Sequence, residues 1–551
     1  MIYNLGKNNN TRDIAYFGSS SDYNNFKIRN PYNFSESSAL TINANKINKN
    51  IILSIGEISN YVTNGANKIE SLVITDVNLN PDREYIQKII IYDNTNNRYD
   101  YIYVKFLKEF NNNWYLNFFK LDNTALSSNI TILPFTITYS GENTNYIEGN
   151  IWGSNFPYNW VQRGVDIDGE AAGDNSGRSV SLSSDGSIVA IGAWGNDGNG
   201  SNSGHVRVYE WNETAWVQRG VDIDGEAAGD NSGHSVSLSS DGSIVAIGAY
   251  GNNSSTGHVR VYEWNGITWV QRGVDIDGES SGDVSGWSVS LSSDGTIVAI
   301  GAIYNDGVNG IDSGHVRVYE WNGTAWIQRG ADIDGEVAND EFGYSVSLSS
   351  DGSIVAIGAS RNDAGSGIGD DNYGSIRVYE WNETAWVQRG TDIDGEARSN
   401  NFGSSVSLSS DGSIVAGGAP GNSDVNGVHS GHVRVYEWNE TAWVQRGVDI
   451  DGEAADDYSG FSVSLNSNGS IVAIGAWGND GNGNSSGHVR VYEWNGTAWV
   501  QRGVDIDGEA AGDEFGYSVS LSSDGSIVSI GAWRNDGING IDSGHVRVYT
   551  L

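Results

Sequence analysis

One acidic pentapeptide, Asp-Ile-Asp-Gly-Glu, occurs seven times in the 551 residues. Its carboxylates are Asp166, Asp168 and Glu170; Asp222, Asp224 and Glu226; Asp275, Asp277 and Glu279; Asp332, Asp334 and Glu336; Asp392, Asp394 and Glu396; Asp449, Asp451 and Glu453; and Asp505, Asp507 and Glu509. Three carboxylates at alternate positions, beside a glycine that permits a turn, can present oxygens to a hard cation. Ca²⁺ takes roughly 6–8 oxygen ligands. A nearby Asn-Asp pair adds further oxygens, as at Asn196-Asp197, Asn305-Asp306 and Asn535-Asp536. Calcium is therefore the cofactor that these residues suggest.

Arginines compete for the same carboxylates. One follows each Val-Gln or Ile-Gln pair, and a second set comprises Arg207, Arg260, Arg317, Arg377, Arg434, Arg490 and Arg547. Arg–Asp pairing between strands would use up the acids, and aspartates also close tight linkers on their own backbone. Pairing is the weightier use. His205, His258, His315, His432, His488 and His545 share one repeat position, with Ser375 in the seventh copy, which marks them as scaffold. His234 and His429 stand alone. The two Gly-x-Ser-x-Gly strings, at 278–282 and 483–487, lie in the acidic linker and in a Gly/Asn/Ser loop rather than at a strand-to-helix elbow, and no Walker loop or H-E-x-x-H motif occurs. The residues do not predict an enzyme.

The elements that hold these groups are read from the repeat. Trp160, Trp216, Trp269, Trp326, Trp386, Trp443 and Trp499 recur at spacings of 56, 53, 57, 60, 57 and 56 residues. Such a period signals a repeat architecture. In the last copy, residues 515–522 alternate small polar and apolar side chains, a period-2 strand. Asp524-Gly525 is a hairpin signal, and 527–532 reads as a strand buried on both faces. A loop rich in Gly, Asn and Asp leads to a third strand at 545–549, and 498–502 is the fourth strand of the preceding copy. Four short antiparallel strands, repeated, make a β-propeller blade. The seventh copy lacks its fourth strand, while residues 158–163 are a fourth strand without a blade. A closed seven-bladed propeller, with the N-terminal strand completing the last blade, repairs both defects and leaves no open edge.

Phe515-Gly516, Gly531-Ala532-Trp533 and the run from Gly544 to Tyr549 resemble the FG-GAP repeat of integrin alpha subunits and bacterial surface proteins. The resemblance spans all seven copies. Phe-Gly is intact at Phe342, Phe402 and Phe515, with Ser-Gly elsewhere, and Gly-Ala-Pro occurs at 418–420. The integrin-type calcium loop between the first two strands is replaced by Ser-Asp-Gly or Ser-Asn-Gly turns. The resemblance implies adhesion or interaction.

Antiparallel order puts the short, repeated turns on one face. The other face carries the acidic linkers and the loops that vary in length. Variable loops on a rigid ring are where specificity is built. This face is the expected binding surface, with Asn196, Asp197, Asn253, Asn305, Asp306, Arg361, Asp363, Asp370, Asp371, Asp424, Asn479, Asp480, Asn535 and Asp536 as candidates. The expected partner is a protein or a glycan. A calcium-dependent lectin-like propeller is the alternative, with a propeller hydrolase behind it.

Charge divides the chain. Residues 1–150 hold 13 basic and 14 acidic residues, and the remainder holds 18 and 55. A field this negative repels phosphate backbones, so nucleic acid is not expected as a partner. With no cysteine, disulfides and thiolate metal sites are excluded. No apolar run is long enough to span a membrane, and no secretory signal is apparent. Residues 1–140, rich in Asn, Ile and Tyr, read as a β-rich, sandwich-like domain, with 141–157 as linker and 158–551 as propeller. A domain of this kind suits attachment to a larger assembly, such as a virion or cell surface.

Overall fold

The structure, a computed structural model, describes residues 160–363 and 371–551 in full, and earlier residues only as strand backbone. The chain divides into two units, Met1–Pro157 and Tyr158–Leu551. In the first, Ser38–Ala44, Lys49–Ile55, Ser71–Ile74, Ile132–Tyr139 and Tyr146–Ile151 form one sheet. Glu84–Asp93, Arg98–Lys108 and Trp114–Phe119 form another. Tyr146–Ile151 falls within the expected linker: its backbone pairs with Ile132–Tyr139. The side-chain packing that would define a sandwich lies outside the described residues.

The second unit is a closed, all-β ring of seven blades. Blade I comprises Ser176–Leu182, Ile188–Ala193, His205–Trp211 and a fourth strand in two pieces, Trp216–Gln218 and Ile223–Asp224. Blades II to VII repeat this order. The first piece pairs with the end of the third strand and the second with its start. The chain bulges between them, so the Ile-Asp of the acidic pentapeptide continues the fourth strand. The sequence places that pair in a linker. The difference arises because the chain resumes pairing after the bulge at Arg219-Gly220.

Blade VII closes as the missing strand requires. Val161–Gln162 pairs with Tyr549 and Thr550, and Ile167–Asp168 pairs with His545 and Val546. Two hydrogen-bond circuits run around the ring. Each fourth-strand tryptophan donates its indole N–H to an arginine carbonyl of the preceding blade. Trp216 reaches Arg163 at 2.7 Å and Trp160 reaches Arg502 at 3.0 Å. At the short-turn end, Ser184, Ser240, Ser293, Ser350, Ser410, Ser467 and Ser523 form a closed cycle. Each donates its backbone N–H to the next one's carbonyl, at 2.7–2.9 Å.

The core lies between blades. Ile188, Ala190, Val206 and Val208 of blade I pack with Val236, Leu238, Val245, Ile247 and Trp269 of blade II, and this arrangement recurs around the ring. The second strand, Ile-Val-Ala-Ile-Gly-Ala in blade I, is buried throughout, as its apolar run requires. Its glycine is needed for close approach. A Cβ at Gly192 would stand 1.9 Å from the carbonyl oxygen of Gly233 in the next blade. Gly192→Ala is expected to cost about 2–3 kcal/mol by overpacking. Urea unfolding checks this, and an unchanged midpoint would contradict the packing described. The Phe-Gly phenylalanines, Phe342, Phe402 and Phe515, are fully buried, each beneath a third-strand guanidinium at 4.0–4.4 Å.

Candidate functional site

The carboxylates of one pentapeptide separate. Asp166 lies 3.7 Å from His545 of blade VII, while Glu170 lies 3.9 Å from His205 of blade I. Each cluster therefore joins a histidine, the first Asp of its own blade and the Glu of the preceding blade, as in Glu170, His205 and Asp222. The expected oxygen set from one segment is not assembled in one place, because the strand register assigns its two ends to different blades. The arginines also differ from expectation. Arg207 donates to the backbone carbonyl of Asp168 at 2.6 Å and lies 3.6 Å from the carboxylate of Glu170, so Glu takes the ion pair rather than Asp. Gln218 donates to Asp222 at 2.6 Å.

Two carboxylates and one imidazole, already shared with a guanidinium and an amide, fit poorly with the oxygen shell of Ca²⁺. Burial holds His205, His315, His432, His488 and His545 down to about 4. They are neutral scaffold groups at pH 7. In blade IV, Ser375 replaces the histidine, and burial raises Glu336 beside Asp392.

On the variable-loop face, Asn196, Asn305, Asn479 and Asn535 are buried. Each amide donates to an aspartate of its own blade: Asp174, Asp283, Asp457 and Asp513. They brace loops and are not surface ligands. Asp197, Asp306, Asp480 and Asp536 are exposed and accept backbone N–H groups of their own loops. Asp363 does the same for 371 and 372, and Asp424 for Asn426. Arg361 pairs with Glu341 at 3.0 Å, and Asp371 with Arg398 at 3.1 Å. Asn253 is exposed in a left-handed conformation, φ 48°. Asp370 lies outside the described residues.

The side chains that differ most from blade to blade stand elsewhere. Immediately before each Ser-Val-Ser-Leu strand core is one varied position: Arg178, His234, Trp287, Tyr344, Ser404, Phe461 and Tyr517. These residues line one cavity of about 240 Å³ on the ring axis. The first strand begins at the variable-loop end, so the cavity lies at that mouth of the channel. The opposite end is lined by repeated leucines and serines.

The ring contacts form a horseshoe. Tyr344 meets Trp287 at 5.8 Å, Trp287 meets His234 at 4.5 Å, and His234 accepts from Arg178 at 3.0 Å. Arg178 lies over Tyr517 at 4.5 Å, and Tyr517 packs on Phe461 at 4.5 Å. The horseshoe opens at Ser404. A second tier backs it: Tyr250, Trp477 and Trp533 contact His234, Phe461 and Tyr517 respectively. Burial pushes Tyr344 up to about 12, and the hydroxyl of Tyr517 across the channel adds to the shift. The Tyr344 phenol therefore stays a protonated donor at neutral pH.

This site is absent from the sequence-based candidates, among which His234 appears only as a solitary histidine. The available signal was variation at a single position beside an otherwise constant strand. A flat π-rich wall with a few polar groups suits recognition of a ring or an inserted side chain.

The family model for the FG-GAP repeat matches residues 165–209 and 504–549. No curated protein matches the sequence. Among solved structures, the fold is similar to hydrazine synthase of Kuenenia stuttgartiensis, at 14% identity and TM-score 0.44, over 73% of this chain and 99% of that one. It is also similar to a putative 6-phosphogluconolactonase from Bacteroides uniformis, at 11% identity and TM-score 0.43, over 60% of this chain and 86% of that one. Likeness at this level carries no argument about activity. The remaining blades repeat the strand sequences and registers of the matched ones, so the chain is a seven-bladed β-propeller with FG-GAP repeats matched in its first and last blades.

Proposed function

We propose that the protein is a non-enzymatic binding propeller that takes a protein or glycan ligand on its variable-loop face, anchored at the aromatic mouth of the channel. The observation that carries this reading is the contrast between scaffold and mouth. Within the first strand, Ser-Val-Ser-Leu recurs from blade to blade, while the residue just before it differs and lines the cavity. A position that served packing alone would repeat with its neighbours. Residues 1–140 would attach the ring to a larger assembly, such as a virion or cell surface.

A panel of immobilised glycans and surface proteins, probed with the full chain, tests the reading. Trp287→Ala and Tyr517→Ala are each expected to cost about 2 kcal/mol of binding, roughly thirty-fold in Kd, with little change in the folded ring. Exchanging the loops at 194–203 and 421–430 is expected to alter ligand preference. Binding that survives the aromatic substitutions and the loop exchange would defeat the proposal.

A further inference from the structure

The channel mouth holds a cation without a carboxylate partner. Arg178 makes two described contacts: its guanidinium lies on the ring of Tyr517 at 4.5 Å, and Nη2 is 3.0 Å from Nε2 of His234. Among the described residues, no carboxylate stands within ion-pair distance of it; Glu514, which feels its charge, is paired instead with Arg534 at 2.8 Å. By contrast, the third-strand arginines such as Arg207 and Arg260 each face a glutamate. An unpaired arginine facing a cavity is unusual in a unit this rich in acids.

Its neighbour fixes its state. A guanidinium only donates, so Nε2 of His234 must accept. The proton of His234 is then on Nδ1, which donates to the carbonyl oxygen of Trp287 at 3.2 Å. His234 is 7% exposed and neutral: burial first, and Arg178 second, hold it well below its ordinary range. The histidine orients the guanidinium without adding charge, while Tyr517 supports its face. The remaining N–H donors of Arg178 are left to the cavity that it lines.

We infer that Arg178 receives the carboxylate of an acidic sugar whose ring stacks on the aromatic horseshoe. This rests on the proposed binding role and narrows it to one ligand class. A guanidinium fork matches a carboxylate in two parallel hydrogen bonds. Trp287, Tyr344 and Phe461 line the cavity with aromatic surface suited to the C–H side of a sugar ring, and the hydroxyls of Tyr344 and Tyr517 offer polar partners, with the oxygen of Ser404 as an acceptor. The cavity, about 240 Å³, is below the roughly 300–1,000 Å³ of drug-sized ligand sites, so it suits one ring rather than a chain. A single negative charge is also easier to admit than a phosphate dianion under the acidic field of this unit.

The test uses the full chain and its Arg178→Gln and Arg178→Lys variants against uronate- or sialate-terminated, sulfated and neutral saccharides, and against peptides ending in free carboxylates. Gln removes the charge while keeping an amide, and thermal unfolding measured on each variant separates a loss of binding from a loss of folding. The expected result is binding of carboxylate-bearing saccharides that falls at least ten-fold in Arg178→Gln and partly in Arg178→Lys, and that weakens with salt. Equal binding by wild type and Arg178→Gln would overturn the inference. So would selective binding of neutral or sulfated saccharides, or Arg178-dependent capture of the peptides instead; each of these would leave the broader binding role standing. Failure to bind any glycan or protein would overturn both.

Discussion

Deleting residues 1–168 is expected to abolish the cooperative unfolding of the propeller, whereas deleting 1–157 leaves it intact. The eleven residues between these cuts contain both pieces of the blade VII fourth strand. Without them, the third strand of that blade, His545–Thr550, becomes an unpaired edge, open to edge-to-edge association. Trp160 is the strongest single point in this clasp. It is 8% exposed, packs with Ile471, Val489 and Tyr549, and donates to the Arg502 carbonyl. Trp160→Ala removes a large buried side chain and the indole N–H bond it makes, at an expected cost of about 3–5 kcal/mol. Calorimetry and size-exclusion chromatography read both effects. A 1–168 deletion that stayed monomeric with an unchanged transition would show that the serine circuit alone closes the ring.

Acidification is expected to destabilise the ring steeply between pH 6.5 and 5. His205, His315, His432, His488 and His545 are almost fully buried and are held down to about 4, chiefly by burial. Their ordinary value is about 6.5. Between these values, the unfolded chain binds protons that the native ring refuses. Their contribution is therefore complete above pH 6.5 and is lost as the pH falls toward 4. Each histidine accounts for about 1.4 kcal/mol per pH unit. Titrating together, they remove several kcal/mol by pH 5, against total stabilities that are ordinarily about 5–15 kcal/mol. Carboxylates such as Asp168, Glu170 and Asp224 are raised, mainly by burial. They act in the opposite sense, but at lower pH. Urea midpoints at pH 7, 6 and 5 measure the slope. His545→Ser, which copies the blade IV arrangement, is expected to reduce it by about 1.4 kcal/mol per pH unit. A flat profile would contradict the buried neutral histidines.

Much of the scaffold could be read in the sequence, because its errors were complementary. A seventh copy without a fourth strand and residues 158–163 without a blade pointed to Trp160 as the clasp, and the pairing of Gln162 with Tyr549 meets that expectation. The loop faces also followed from antiparallel order. Two features were hidden. The acidic pentapeptide reads as one unit along the chain, yet register gives Asp166 to blade VII and Glu170 to blade I. Spacing along the chain cannot show which blade a side chain will face. The channel ring was hidden for a different reason. The seven channel positions, from Arg178 to Tyr517, come one per copy at spacings of 53 to 60 residues, and only ring closure brings them together. Attention to loop length favoured Asn196 and Asn535, which are buried braces instead.

Hydroxyl-radical footprinting of the full chain, with and without a saturating glycan ligand found on the panel, tests the proposed binding site most directly. Trp287, Tyr344, Phe461 and Tyr517 are half-buried at the channel mouth and their rings react readily with the radical. The account predicts that ligand protects these four and leaves the outer-strand tryptophans Trp211, Trp264 and Trp321 unchanged. Protection of the outer tryptophans, with the four mouth residues as reactive as before, would contradict it.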